Sequence, residues 1–396
     1  MPTSTPVTVL SGSLGAGKTT LLNRLLDEAG DRDIAVLVND VGAVNVDADL
    51  VSRGGGIDEG RVAELSNGCI CCELRGDLET AVVNLAQNRD FSHLVVEPSG
   101  ISEPRPVVDL FERGSSAAAL YDVDAVVTVV DVRQFHDALA EREVDDRGVD
   151  ERENDADDPR PLSDLLAEQV EFADVVVLNK IDLADDAELR TVRETAAALR
   201  PGAEVVETTF SAVDPDAVLD RGLFARRGER EGHADHAHDE GHDDGYAEHG
   251  HVHPEAEYGV DSFVYRRRRP FDPEQFAAVL ADLPASVLRS KGTVWVAGRD
   301  DVQLDLGQAG PSVRAEATGP WIASLPETDQ ELYLANRSNV DWDEEVGDRR
   351  TELVIIGQEM DDARIVEALD ACLVDSDATV DGENPFPAEP GETTTL

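Results

Sequence analysis

Along residues 7–222 the apolar positions come in short, nearly unbroken runs separated by segments with helical spacing. The runs at 7–10, 34–38, 94–96, 125–130 and 175–178 are rich in Val, Ile and Leu and lack polar alternation. Such runs predict strands buried on both faces. Their alternation with helical segments such as 19–29 predicts a parallel sheet wrapped by helices. The expected first domain is therefore doubly wound α/β with a mostly parallel sheet. After the middle of the chain the pattern changes. Strands are expected at 261–265, 292–298 and 352–357, and helices at 273–283 and 361–373 with Asp or Pro near their starts. This smaller C-terminal domain reads as α+β.

Two polar stretches interrupt these rhythms. Residues 141–160 hold ten acidic and four basic side chains with almost nothing apolar, which predicts a solvated insertion. Residues 226–258 hold seven of the nine histidines and read as a flexible linker. The expected division is a first domain over 1–225, the His-rich linker, a second domain over 259–375, and a loose acidic tail over 376–396.

Composition changes this picture mainly at the surface. The 396 residues include 84 Asp and Glu against 34 Lys and Arg, a formal charge of −50. A field of that sign excludes nucleic-acid binding by bulk electrostatics and fits an acidic, salt-adapted surface. With 41% hydrophobic residues the chain can still build real cores. No apolar run approaches the roughly 18 residues of a membrane span, so a soluble protein with no membrane partner is expected. Four cysteines, three of them at Cys69, Cys71 and Cys72, are no disulfide framework for this length. Adjacent thiols point to metal or redox chemistry in a reducing cytoplasm.

The most specific motif runs from Gly12 to Thr19, GSLGAGKT, which satisfies G-x-x-x-x-G-K-[ST] between a predicted strand and a predicted helix. In such a loop the backbone N–H groups of Gly12, Gly15, Ala16 and Gly17, with Thr20 in the first helical turn, surround phosphate oxygens. Lys18 meets the terminal phosphates and Thr19 ligates Mg²⁺. Asn179-Lys180-Ile181-Asp182 follows another predicted strand, at a carboxyl edge where open α/β sheets bind ligands. The Asp182 carboxylate accepts from guanine N1–H and its amine, whereas adenine presents an acceptor and no amine there. Asn179 would brace the loops and the Lys180 stem would cover the base. Between these motifs, Asp40 follows the second strand and Glu97 ends another, three residues before Gly100. Glu97 is placed to hold Mg²⁺ through water and Gly100 to sense a γ-phosphate. Lys18, Asp40 and Glu97 are the expected catalytic residues.

Gly68-Cys69-Ile70-Cys71-Cys72 lies between those segments and just before a helical stretch, where thiol pKa values are depressed. Three thiolates suit Zn²⁺ and leave a fourth tetrahedral position open. Softness alone does not separate Zn²⁺ from Co²⁺, Ni²⁺ or Cu⁺, and a redox pair or buried structural cysteines are the other readings. His233, His236, His238, His242, His249, His251 and His253 are irregularly spaced, which favours loose metal capture over a defined site, with an inert linker as the alternative. Cys372 sits alone on an apolar helical stretch and is expected in the core.

In this order, GSLGAGKTT, ELSNGCICC, VVEPSGISEP and VVVLNKIDL resemble the CobW cobalamin-synthesis-protein family of P-loop GTPases. RSKGTVWVAG, GPWIASLP and RTELVIIGQEMDDARIVEALDACLV resemble that family's C-terminal domain, closest to its zinc-chaperone branch. The resemblance spans nearly the whole chain apart from the acidic insertion, the His tract and the tail. It implies a GTP-dependent metallochaperone that uses Mg²⁺ and carries Zn²⁺ or Co²⁺ to a client metalloprotein; hydrolysis is expected to be slow alone, since no catalytic Gln or arginine finger can be named in the sequence. By motif, the family's nucleotide residues fall on Gly15, Gly17, Lys18, Thr19, Asn179 and Asp182, and its metal thiols on Cys69, Cys71 and Cys72. Asp40 stands where many relatives carry Glu, and Glu73 where a small hydroxyl residue is common. A regulatory GTPase with structural cysteines and a metal reservoir built on the His tract are the rival readings. The oligomeric state stays open, a homodimer included.

Overall fold

The computed structural model describes residues 4–38, 62–64, 74–98, 100, 102–112, 115–140, 161–225, 260–336, 340–376 and 384–396. The chain divides into two units, residues 1–136 with 165–244, and residues 137–164 with 245–396. Among the described residues no helix is long and apolar enough to cross a membrane.

In the first unit the apolar runs become β1 (Thr5–Gly12), β2 (Ile34–Val38), β3 (Val62–Glu64), β4 (His93–Glu97), β5 (Tyr121–Asp131), β6 (Val175–Asn179) and β7 (Glu204–Glu207). They form one sheet in the order β3-β2-β4-β1-β5-β6-β7, and every neighbouring pair is parallel. The mostly parallel expectation becomes an entirely parallel sheet here. The helices are α1 (Lys18–Asp27), α2 (Leu74–Asn88), α3 (Arg105–Phe111), α4 (Val132–Ala140), α5 (Leu162–Glu171) and α6 (Asp186–Leu199).

Alternate residues of each strand feed two separate cores. Val36 and Val38 join Leu10, Leu21, Leu22 and Leu25, whereas Ala35 and Leu37 join Val82, Leu85, Val108 and Phe111. With both faces covered, Glu97, Asp131 and Asn179 fall at strand ends.

At the amino end of β4, His93 is fully buried. Its Nδ1 lies 3.2 Å from Asp220 Oδ1 and its Nε2 2.9 Å from Thr8 Oγ1. Arg32 donates to Asp220 at 2.7 Å and to Asp216 at 2.5 Å. Burial holds the imidazole below the ordinary histidine value of 6.5, against the pull of Asp124 and Asp220. Tyr121, which donates to the Val82 carbonyl at 2.8 Å, is pushed up to about 12 by burial.

The second unit contains β8 (Val260–Arg267), α7 (Pro273–Ala281), β9 (Val287–Val294), β10 (Val302–Ala309), β11 (Ser312–Pro320), α8 (Glu327–Asn336), β12 (Thr351–Gln358), α9 (Asp362–Asp370) and β13 (Thr393–Thr395). Its sheet runs β13-β11-β10-β9-β12-β8 and is antiparallel throughout. Asp272 caps α7 by accepting from the Gln275 N–H, and Asp361 caps α9 by accepting from the Arg364 N–H. Phe263, Tyr265, Phe271, Phe276, Leu280, Ile365 and Leu369 share one core with alternating residues of β10 to β12. Cys372 is in that core, and burial pushes its thiol up.

The tail departs from expectation. Residues 384–396 are not loose: β13 pairs with β11, Phe386 joins the core, and Arg299 donates to the Phe386 and Pro387 carbonyls. Their polarity misleads because an edge strand needs only its backbone to pair. The β10–β11 hairpin, turned at Gly310, was also absent from the sequence expectation.

Candidate functional site

β1 ends at Gly12 on the carboxyl edge of the parallel sheet, and the chain turns through Ser13 to Gly17 into α1. Gly17 occupies the cap position of α1 with φ 112°, and no side chain caps the helix. A helix start without a side-chain cap, reinforced by the helix dipole, suits an anion. Glycine is required here twice over. A Cβ on Gly17 would meet Asn179 Nδ2 at 2.4 Å and Ser211 Oγ at 2.8 Å, on a backbone that side chains rarely adopt. Within the turn, Gly15 is exposed, Ala16 is buried, and the Ala16 N–H bonds to the Ser13 carbonyl at 3.2 Å. Lys18 is buried and its Nζ donates to the Ser13 carbonyl at 3.1 Å, so the ammonium curls back over the loop. Thr20 is exposed one residue into the helix beyond Thr19.

The Thr19 hydroxyl faces the end of β4, where Thr19 Oγ1 donates to Glu97 Oε1 at 3.4 Å. Glu97 is 2% exposed. A hydroxyl and a buried carboxylate side by side at the phosphate loop are hard oxygen donors, the set Mg²⁺ prefers. These residues fit that ion. Gly100 packs against the same loop: a Cβ there would lie 2.8 Å from the Leu14 nitrogen and 3.0 Å from Lys18 Nζ.

The Asn-Lys-Ile-Asp segment is clasped to the phosphate loop by Asn179. This side chain is 2% exposed; its Nδ2 donates to the Ala16 carbonyl at 2.7 Å and to Ser211 Oγ at 3.0 Å, and its Oδ1 accepts from the Ser211 N–H at 2.9 Å. Ser211 completes the clasp by donating to the Gly17 carbonyl at 3.0 Å. Lys180 adopts a left-handed backbone, φ 61°, and its Nζ pairs with Asp131 Oδ2 at 2.6 Å. Asp182 lies in the following one-turn helix, Ile181–Leu183, and is exposed at the same sheet edge.

Sequence reasoning missed Ser211 and Asp131. The available signal was positional, a hydroxyl beyond the strand after β6 and a carboxylate ending β5, but neither belongs to a spaced motif.

Asp40, Cys69, Cys71, Cys72, His233, His236, His238, His242, His249, His251 and His253 lie outside the described residues, as does Glu73. Among the described residues no group of three or more His, Cys, Asp or Glu could hold a metal ion. The elements flanking the cysteine segment are described. β3 ends at Glu64, which pairs with Val38, and Val38 pairs with Glu97, so both strands finish on the carboxyl edge with the nucleotide loops. Residues 65–73 connect that edge to the start of α2 at Leu74.

An uncapped helix start, a buried lysine, a hydroxyl beside a strand-end carboxylate and an Asn-Lys-x-Asp clasp together define a P-loop GTPase. The chain belongs to the CobW family. The family model described as CobW/HypB/UreG, nucleotide-binding domain, matches residues 6–207, and that of the cobalamin synthesis protein cobW C-terminal domain matches residues 260–373. The chain is 36% identical over 392 residues to zinc-regulated GTPase metalloprotein activator 1 of Dictyostelium discoideum, covering 93% of this chain and 80% of that protein. It is 30% identical over 385 residues to zinc chaperone CobW of a Sinorhizobium species, covering 92% and 96% respectively. Zinc chaperone YjiA of Escherichia coli is 27% identical over 370 residues, covering 91% and 96%.

Proposed function

We propose that this GTPase is a zinc chaperone of the cytoplasm, in which Cys69, Cys71 and Cys72 hold the cargo ion and release it to a client metalloprotein according to the nucleotide state. The observation that carries the reading is the register of three strand ends. Glu64 and Glu97 both pair with Val38, so the chain enters the thiol segment from the edge that carries the phosphate loop and Gly100. The names of the relatives, a zinc-regulated metalloprotein activator and two zinc chaperones, support zinc as cargo. Co²⁺ suits the same thiolates. The His tract would capture metal loosely for that segment, and Asp40, on the way from β2 to β3, would act beside it.

The backbone N–H groups of Gly15 to Thr19 bind and orient the phosphates, and Lys18 offsets their charge once it leaves the Ser13 carbonyl. Mg²⁺, when bound through Thr19 and Glu97, supplies neutralisation of the charge that develops on the phosphates. Asp182 selects guanine, while Asn179 keeps its loop in fixed relation to the phosphate loop. Gly100 contacts the γ-phosphate through its N–H. If GTP tightens cargo binding by some factor, cargo tightens GTP binding by the same factor.

The test is a zinc titration with a non-hydrolysable GTP analogue and with GDP, on the full chain and on Cys71→Ser with Cys72→Ser. Different zinc affinities in the two nucleotide states, lost in the double variant, are expected. Equal affinities would leave a GTPase whose thiols are structural.

A further inference from the structure

Gln169 takes no part in the chemistry above, yet it is 1% exposed on α5 with its carboxamide against the turn that follows Glu97. Its Nε2 donates to the Gly100 carbonyl at 3.2 Å and to the Ser102 carbonyl at 3.3 Å. Its Oε1 is buried and has no hydrogen-bond partner among the described residues. The backbone beneath it is pinned independently, because Thr128 Oγ1 of β5 donates to the Gln169 carbonyl at 2.9 Å. α5 thus presents a half-satisfied amide to the turn that lies against Leu14 and Lys18 of the phosphate loop. A buried acceptor left without a donor is costly, and the cost disappears in any arrangement that brings a donor to it.

We propose that Gln169 is a positioning residue for the phosphate-sensing turn. In one arrangement its Nε2 latches the turn by the Gly100 and Ser102 carbonyls. In the other, reached when the Gly100 N–H engages a γ-phosphate, the turn brings the Ser102 N–H to Oε1 and the amide is bonded at both ends. Gln169 then favours the triphosphate over the diphosphate without touching either, since a ligand shifts an equilibrium only by its differential affinity for the two states. The inference rests on Gly100 being the γ-phosphate contact proposed above. It adds a residue remote in sequence that sets how strongly the turn responds.

The full chain would be compared with Gln169→Leu, which keeps volume and loses the amide, and with Gln169→Glu, whose carboxylate repels both carbonyls. The readouts are affinity for a non-hydrolysable GTP analogue with Mg²⁺, affinity for GDP, single-turnover hydrolysis and thermal melting. Gln169→Leu should weaken the analogue about tenfold while GDP stays within about twofold, and Gln169→Glu, which keeps an acceptor for the Ser102 N–H, should weaken the analogue less than Gln169→Leu. Thr128→Val, which loosens the same helix without altering the amide, should lower the melting temperature and leave the analogue-to-GDP ratio unchanged.

A ratio within about twofold of wild type in Gln169→Leu overturns the latch, and so does an equal shift in Thr128→Val, which would assign the effect to helix packing. Gly100→Ala separates the two levels. Its Cβ would meet the Leu14 nitrogen at 2.8 Å and hold the turn off the phosphate loop; an intact analogue preference then shows that the approach of this turn does not sense the γ-phosphate and the latch fails with that assignment, whereas a preference lost in Gly100→Ala but kept in Gln169→Leu sinks the latch alone.

Discussion

The two sheets treat polar residues in opposite ways. In the parallel sheet β2, β4 and β6 are buried at every position, whereas in the antiparallel sheet β10 and β12 alternate buried and partly exposed residues. A strand covered on both faces has no side on which to carry a polar group, so chemistry gathers at its ends, where Gly12, Glu97 and Asn179 terminate β1, β4 and β6. A strand with an open face spreads its polar groups along its length as cross-strand pairs. Arg266 with Glu352 on β8 and β12 is one such pair, and Val354 stands exposed on the same outer face. The difference teaches where a small change should alter function and where it should alter only stability.

The comparison is broken most severely at a strand end of the first sheet. Lys18→Ala should reduce GTP turnover by about 10²- to 10³-fold, measured as kcat/KM, because the ammonium held at the phosphate loop is lost. Asp182→Asn should lower GTP affinity by about 10²-fold and raise xanthosine triphosphate affinity, read by competition binding, since the amide can donate to the xanthine 2-oxo group where the carboxylate accepted. Asn179→Ala should affect both properties. It removes three buried hydrogen bonds that join the phosphate loop to Ser211, so about tenfold weaker nucleotide binding should accompany a loss of about 2 kcal/mol in denaturant unfolding.

In the second unit, Asp370→Asn at the end of α9 should be felt only as stability. Asp370 accepts from Arg267 through both Nε and Nη2 at 2.7 Å and from the Tyr265 hydroxyl at 2.8 Å; burial, and then this hydrogen bond, raise the phenol above its ordinary range. The groups are partly exposed, so the expected cost is about 1 kcal/mol, with GTP hydrolysis unchanged. A change in hydrolysis there would show that the antiparallel unit participates in catalysis.

The smallest effect concerns the amino end of the parallel sheet, where polar groups close on one another. Burial lowers the folded-state value of His93 below 6.5, so the unfolded chain takes up its proton more readily. That contribution to stability is full above pH 6.5 and is lost as pH falls from there through the lowered folded value. Unfolding midpoints measured from pH 8 to pH 5 should fall more steeply in wild type than in His93→Gln.

Much of this contrast was legible before the structure. Unbroken runs such as Val175 to Leu178 announce burial on both faces, and the phosphate loop and Asn-Lys-Ile-Asp segment carry their chemistry in their spacing. Less legible were residues whose role depends on a neighbour remote in sequence. Ser211 reaches Gly17, Asp131 reaches Lys180 and Gln169 reaches Gly100, and nothing in their own surroundings marks them. The polar residues 384–396 misled for the same reason, since β11 supplies the partner that makes residues 393–395 a strand.

The amino-acid order alone determined the two fold classes and the phosphate loop, because each depends on local spacing or local burial. Tertiary structure decided that the sheet is parallel throughout, that Asn179 and Ser211 clasp two loops into one site, and that β3 and β4 end on either side of β2. Those facts arise from hydrogen bonds and strand pairings between segments distant along the chain, whose geometry exists only after both cores have closed.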